Sequence, residues 1–255
     1  MTQKKLVVGN WKMNPESTAE TKKIFTTLKR SVKKYRKVDV VVCPPFLYLQ
    51  TLLSFTRGGV AIGAQDCFWE DAGSYTGEVS ALQLAKERID YCIVGHSERR
   101  ELGETDGEVN KKVLALLKVK MTPIICIGEK ERDKDGFYLA HLKDQLKLAL
   151  KGVKQKDLVN IVIAYEPIWA IGAKAKKVIT GEDLHQMTIF IRKVLSDLYT
   201  HRTAFNAPIL YGGSVNEDNA EQIISEGEVQ GFLVGRASLD PKSFTQIIEI
   251  VHTSS

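Results

Sequence analysis

Two polar residues that lie two positions after apolar runs of this sequence are of the types that proton transfer requires. His96 comes after the run 91–94, and Glu166 comes after the run 161–164. A carboxylate opposite a neutral imidazole can remove a proton next to a carbonyl group while the ring polarises the carbonyl oxygen. Lys12, which follows the first apolar run, can stabilise the enediolate that forms. Together they favour a proton abstraction.

Two glycine-containing segments predict a phosphate site near these groups. Gly212, Gly213 and Ser214 follow one apolar run, and Gly235 and Arg236 follow the next. Glycine lets backbone N–H groups approach an anion closely, and the helix start that follows adds a favourable dipole. The sequence has neither a P-loop nor a G-x-G-x-x-G fingerprint, so no nucleotide or nicotinamide is indicated. The predicted phosphate therefore belongs to a small substrate.

No metal or cofactor is predicted. The chain has 5 histidines, and they form no cluster with metal-ligand spacing, nor is there an aspartate-rich segment.

Taken singly, His96 and Glu166 also have structural explanations. A lone histidine is more often structural, by about three to one, and a lone glutamate after a strand is usually a helix cap. The catalytic interpretation is favoured because these residues, Lys12 and the two glycine-containing segments are all expected at the same edge of the fold.

Eight short apolar runs that stop at glycine, proline or a polar residue predict the strands that must position these groups. They show little alternation, as expected for parallel strands covered on both faces. The runs are 6–10, 38–43, 60–64, 91–94, 123–127, 161–164, 208–211 and 231–234.

Helix-start patterns lie between most of these runs. Thr105 with Glu108, and Thr180 with Asp183, predict capping boxes, and the Asp240–Pro241 pair suits the first positions of a helix. Eight β-then-α units without a linker favour one α/β domain over residues 1–255, a closed (β/α)₈ barrel. Such barrels carry their active sites at the carboxyl ends of the strands, where the polar residues above fall.

Composition suits a soluble globular enzyme with an anionic ligand. Of the 255 residues, 44% are apolar and 26% charged, and 36 Lys and Arg against 31 Asp and Glu give a net charge of +5. The 4 cysteines include no C-x-x-C pair. No apolar run has the length of a signal peptide or of the roughly 20 residues of a membrane span. We expect a reduced, cytoplasmic protein that binds neither membranes nor nucleic acid.

Four segments together resemble the triosephosphate isomerase family over essentially the whole chain. They are residues 9–14 (GNWKMN), 95–100 (GHSERR), 164–172 (AYEPIWAIG) and 211–215 (YGGSV). The resemblance implies a TIM barrel and the interconversion of dihydroxyacetone phosphate and D-glyceraldehyde 3-phosphate, a step of glycolysis and gluconeogenesis, without a cofactor.

The resemblance also implies a role for each site residue. Glu166 would shuttle the proton between C1 and C2, His96 would donate a hydrogen bond to the carbonyl oxygen, and Lys12 would supply positive charge. Asn10 would orient the substrate, and Glu98 would support Lys12. Backbone groups that would hold the phosphate are those of Gly172, Ser214, Gly235 and Arg236.

The family is typically a homodimer, and residues 65–69 with 75–78 resemble its interlocking third loop. Thr76 would reach the neighbouring active site. An ordinary surface loop is the alternative, but exposing Phe68, Trp69 and Tyr75 together is unusual without a partner surface.

The chain departs from the family pattern in two places. The family's mobile lid usually continues Gly172 with Thr, Gly and Lys, whereas this chain continues with residues 173–177, AKAKK. We expect the altered hinge to tune closure kinetics without changing the reaction class. Arg236 stands where the family often has a second glycine, which a backbone N–H contact tolerates if φ is negative.

Two other functions remain open from the sequence. A Schiff-base aldolase would use Lys12 as its nucleophile, but it leaves Glu166 and His96 without a task. A basic scaffold or nucleic-acid-binding protein would need concentrated positive charge and a recognition fold, and the sequence indicates no such fold.

Overall fold

Eight parallel strands form a closed barrel in which each strand pairs with the next and β8 pairs with β1. The computed structural model describes residues 4–55, 59–171 and 179–254. The strands are β1 (Lys5–Asn10), β2 (Val38–Cys43), β3 (Ala61–Ala64), β4 (Tyr91–Val94), β5 (Thr122–Ile127), β6 (Val162–Tyr165), β7 (Ile209–Tyr211) and β8 (Gly231–Val234). The fold is therefore the predicted single-domain (β/α)₈ barrel, and the predicted strand ends agree to within one residue.

Helices cover the outside of the barrel. They are α1 (Thr18–Val32), α2 (Phe46–Leu53), α3 (Ala81–Lys86), α4 (Ser97–Glu101), α5 (Asp106–Lys118), α6 (Phe137–Ala149), α7 (Gly181–Leu198), α8 (His201–Asn206), α9 (Ala220–Glu226) and α10 (Pro241–Thr253). None of the described helices is long and apolar enough to cross a membrane.

Alternate side chains of each strand enter two different cores. Leu6 and Val8 of β1 belong to the cluster inside the barrel, whereas Val7 packs outward against the helices. Because both faces are buried, the strands have few polar positions, of which the exposed Asp39 in β2 is one. All four cysteines are buried and free of disulfides, and Cys43 and Cys126 lie in the inner cluster.

Strand register aligns the carboxyl ends of the strands at one rim. Asn10 is paired with Cys43, and Ile127 is paired with Tyr165, each at a strand end. The first two residues after each of β1, β4 and β6 therefore lie at the same mouth. This alignment brings Lys12, His96 and Glu166 together although they are far apart in sequence.

Helix starts confirm most of the predicted capping. Thr105 and Glu108 form a reciprocal capping box on α5, and Asp240 caps α10 with Pro241 at its first turn. The prediction for α7 is wrong in part, because the Asp183 carboxylate accepts from the Thr180 hydroxyl instead of from its backbone N–H. A further capping box, Ser80 with Gln83 on α3, was not predicted from the sequence.

Candidate active site

Glu166 is a buried carboxylate at the mouth of the barrel. It follows β6 directly and is 2% exposed. Its backbone N–H donates to the Ile127 carbonyl at 2.8 Å, and its Oε2 accepts from the Ser97 backbone N–H at 3.0 Å. Burial raises the pKa of the Cys126 thiol below it, and the Glu166 carboxylate raises that pKa further. The base therefore stands over a neutral thiol and is held by a backbone donor.

His96 is oriented by the short helix α4 that starts immediately after it. Its Nδ1 accepts a hydrogen bond from the Glu98 backbone N–H at 3.2 Å. Accepting this bond requires a lone pair on Nδ1, so the proton of the neutral ring is on Nε2. Nε2 lies 3.1 Å from Glu166 Oε1. The ring thus presents an N–H donor beside the carboxylate.

Lys12 completes the charged part of the mouth from β1. Its Nζ donates to Glu98 Oε1 at 2.6 Å, and its backbone N–H donates to Asn10 Oδ1 at 3.0 Å. Lys12 has a φ of 52°, a left-handed conformation that is uncommon for a residue with a side chain. The Gln65 side chain donates to both the Lys12 and the Cys43 carbonyl groups at 2.8 Å, which holds this turn in place.

Glycines leave the space that Glu166 occupies. A Cβ atom on Gly212 would lie 2.9 Å from Glu166 Cγ, and one on Gly128 would lie 1.9 Å from the Glu166 carbonyl oxygen. Gly213 has a similar constraint, because a Cβ there would lie 2.0 Å from the Tyr211 hydroxyl. Gly212 and Gly128 therefore leave room for Glu166, and this steric requirement adds to the predicted approach to an anion.

The loops after β7 and β8 form the other side of the mouth. His96, Glu166 and Lys12 line a cavity of about 240 Å³. Lys12 also lines an adjoining cleft of about 830 Å³, together with Ser214 and Arg236. Gly235 belongs to both spaces, as does Asn10. The two predicted groups of site residues thus share one continuous opening.

Arg236 starts a 3₁₀ turn, Arg236–Leu239, and its φ is not positive. Its side chain is exposed at the cleft. On the β7 side the predicted helix start is not adjacent to the glycines, because α9 begins at Ala220, seven residues after Gly213. Backbone groups of the loops, and not the end of α9, are therefore the nearest donors along the chain.

Sequence reasoning missed three residues that fix this site. Arg100 donates from Nε to the Gly95 carbonyl at 2.7 Å and pairs with Asp106 at 2.6 Å, which anchors the loop that carries His96. Glu129 Oε1 accepts from Trp169 Nε1 at 2.8 Å in the loop after Glu166. Gln65 is the third. Long, ordinary polar side chains such as these give no sequence signal, since their partners are backbone carbonyls and distant side chains.

Comparisons with known proteins agree with this geometry. The model of the triosephosphate isomerase family matches residues 5–251. The chain belongs to the triosephosphate isomerase family. Triosephosphate isomerase of Thermoanaerobacter pseudethanolicus is 42% identical over 246 residues, which cover 95% of this chain and 98% of that protein. The enzyme of Natranaerobius thermophilus is 40% identical, covering 96% and 95%, and that of Aquifex aeolicus is 40% identical, covering 96% and 98%.

Membership of the triosephosphate isomerase family makes the protein an isomerase. Two expected features of the family fall on residues that the structure does not describe. Gly172, predicted to bind phosphate, lies outside the described residues, as does the altered lid segment 173–177. Among the described residues, no group of three or more His, Cys, Asp or Glu side chains is arranged to hold a metal ion.

Proposed function

We propose that the protein interconverts dihydroxyacetone phosphate and D-glyceraldehyde 3-phosphate, in glycolysis and gluconeogenesis, by Glu166-mediated proton transfer through an enediolate. The observation that supports this most is the facing pair of His96 Nε2 and Glu166 Oε1, 3.1 Å apart at a buried mouth. Family membership supplies the substrate pair, because the relatives at 40–42% identity are named triosephosphate isomerase.

The proton path follows from the donors and acceptors of this pair. A substrate carbonyl oxygen that enters beside the ring would take the His96 Nε2–H hydrogen bond that otherwise faces Glu166. The freed Oε1 would then remove the proton from the neighbouring carbon and return it to the other carbon. The neutral ring suits this role, because it stabilises charge on the oxygen while keeping its own proton.

Lys12 and Asn10 would handle charge and orientation at the oxygens. The Lys12 ammonium is paired with Glu98, whose side chain is 53% exposed, so the pair can open toward an anionic substrate. Asn10 is 6% exposed and holds the Lys12 backbone through its Oδ1. Backbone groups of Gly172, Ser214, Gly235 and Arg236 would hold the phosphate.

Conversion of glyceraldehyde 3-phosphate by the wild type, Glu166→Asp and His96→Gln tests the proposed function. Shortening the base by one methylene moves its oxygen by about 1 Å, which costs on the order of a hundredfold in turnover. His96→Gln is expected to lower turnover without unfolding the protein, which circular dichroism checks. A Glu166→Asp enzyme with wild-type turnover would contradict the assignment of Glu166 as the base.

The aldolase alternative makes a different prediction for Lys12. A Schiff base would be trapped on Lys12 by borohydride, and the substrate would be cleaved between carbons. We expect no trapped adduct, and expect solvent deuterium to enter the substrate without carbon–carbon cleavage. The Lys12–Glu98 ion pair at 2.6 Å favours this outcome, because a charged ammonium is not a nucleophile.

We infer that the protein is a homodimer in the cytoplasm. Residues 70–78 are exposed throughout, in a loop closed at its base by the Phe68 N–H bond to the Val79 carbonyl at 2.7 Å. The Phe68 ring stacks on Trp69 at 4.1 Å and lies 4.5 Å from Tyr75, which is 46% exposed. Thr76 stands at the exposed end. Four buried free thiols suit a reducing compartment.

The mass of the protein in solution tests the dimer directly. Tyr75→Asp would place a charge in the proposed interface, so we expect it to lower both the mass and the activity. Asp71→Asn in the same exposed loop serves as a control that leaves the aromatic group intact. An active wild-type monomer would contradict the proposal.

A further inference from the structure

A second groove, of about 650 Å³, lies near the amino ends of the strands and away from the mouth described above. Helices α7, α8 and α9 form its walls, and Lys5 of β1 reaches its edge. The volume is typical of small-molecule sites. The groove shares no lining residue with either space of the active site.

Arg192 gives this groove a buried positive charge without a carboxylate partner. The residue is 8% exposed, and burial lowers the pKa of its guanidinium to about 10. Its acceptors are the carbonyl groups of Ala204 and Ala207 and the Gln230 Oε1 atom, the last at 2.7 Å. None of the described Asp or Glu side chains pairs with it, and the segments outside the described residues contain no Asp or Glu.

The hydrogen bonds of Arg192 leave part of its donor capacity free. A guanidinium has five N–H donors in a planar fork, and three acceptors are present within the described parts of the chain. Two donors therefore remain on a side chain that lines the groove. Two N–H groups of one guanidinium match the two oxygens of a carboxylate.

The other charges near the groove limit which anion fits. Lys193 pairs with Asp197, and Lys5 donates to the Ser254 carbonyl at 2.8 Å. Glu228 also lines the groove, with a side chain that is 68% exposed and lies 3.6 Å from His185. One carboxylate at the rim disfavours a dianion more than a monoanion, so a phosphate is a poorer fit than a carboxylate.

Apolar side chains provide the rest of the surface. Ile189 and Phe205 are 57% and 55% exposed at the opening, and Ile224 is buried behind them. The His201 ring stacks on Phe205 at 4.3 Å, and the Arg192 guanidinium carbon lies 5.6 Å from the centre of the Phe205 ring. We propose that this groove binds a small organic monocarboxylate with a flat apolar body, its carboxylate on the two remaining Arg192 donors and its body between Ile189 and Phe205.

Benzoate and its uncharged analogue benzamide test this site with the full-length protein. Methyl NMR of Ile224 and Val229, both lining the groove, reports binding where it is proposed. We expect saturable shifts of these methyl groups with benzoate and much weaker ones with benzamide. Equal binding of the two probes, shifts confined to residues of the catalytic mouth, or the absence of saturable shifts would overturn the proposal.

Variants at the rim of the groove test binding without disturbing the fold. An Arg192 variant would not, because Arg192 bonds three oxygen atoms and its loss would disturb the helices. Ile189→Asp adds a negative charge at the groove, and we expect benzoate affinity to fall about fivefold. Leu198→Asp is the matched control, an exposed leucine on the same helix outside the groove. Glu228→Gln is expected to strengthen benzoate binding. Indistinguishable affinities in Ile189→Asp and Leu198→Asp would contradict the site.

Discussion

The two sides of the mouth are built in different ways. The side formed after β4 and β6 holds buried side chains, with His96 and Glu166 only 7% and 2% exposed and each bonded to a backbone N–H of α4. The side formed after β7 and β8 presents exposed residues, Ser214 and Arg236, on loops. We call them the chemical side and the phosphate side. Under the proposed function, the first would work through fixed side chains and the second through backbone groups that hold the phosphate.

The largest loss of activity is expected from a substitution of Lys12, which lines both sides. Lys12→Met removes the positive charge proposed to stabilise the enediolate, so kcat/KM should fall about a hundredfold to a thousandfold. Steady-state kinetics in both directions measures the change. Lys4→Met is the control, since Lys4 also pairs with an acid, Asp39, but just before the amino end of β1. Loss of activity in the control as well would show that the effect is not local.

A smaller effect is expected where the phosphate side touches the base. Gly212→Ala would put a Cβ atom 2.9 Å from Glu166 Cγ, so the carboxylate must shift. We expect kcat to fall about tenfold, because a displacement of less than 1 Å already misplaces a base. Gly107→Ala on α5 has no close neighbour and should keep full activity. Unchanged kcat in Gly212→Ala would show that Glu166 does not need this space.

Arg236 tests whether the phosphate side also uses a side-chain charge. Arg236→Gly should raise KM a few fold at low ionic strength, and the increase should vanish near 1 M salt, where the Debye length is about 3 Å. Arg236→Lys keeps the charge and should keep KM. A rise in KM that persists at high salt would indicate a structural role of the Arg236 side chain instead.

The smallest effect is expected for the hydroxyl of Ser214. Among the described residues its Oγ makes only a long contact, 3.4 Å to the Ala170 carbonyl, and Ser214 is exposed. If the backbone of this loop holds the phosphate, Ser214→Ala should change kcat/KM by about twofold or less. A tenfold loss would mean that the side chain itself binds the substrate, and the contrast between the two sides would no longer hold.

The sequence predicted the barrel well because its strands are buried on both faces and end at polar residues. Runs such as 38–43 and 231–234 have the same bounds in the structure as in the prediction. The chemical side was predictable for a related reason. His96 and Glu166 lie within two residues of strand ends, and the chemistry of an imidazole and a carboxylate does not depend on a distant partner.

The supports of the site were not predictable, because they depend on contacts between residues far apart in the chain. Gln65 bonds the Lys12 carbonyl across 53 residues, and nothing in its neighbourhood indicates that contact. The glycines after β7 were predicted for a close approach to an anion, and the structure adds a second reason for one of them. Gly212 makes room for Glu166, a steric requirement that only the packed fold reveals.

We expect that the fold sets the chemical side before any ligand binds, with a neutral His96 that carries its proton on Nε2. Nitrogen-15 NMR of the imidazole in the free enzyme at neutral pH measures this directly. Because Nδ1 accepts the Glu98 N–H at 3.2 Å, we predict one protonated nitrogen, Nε2, and one unprotonated nitrogen, Nδ1. A doubly protonated ring, or a neutral ring with its proton on Nδ1, would contradict the account.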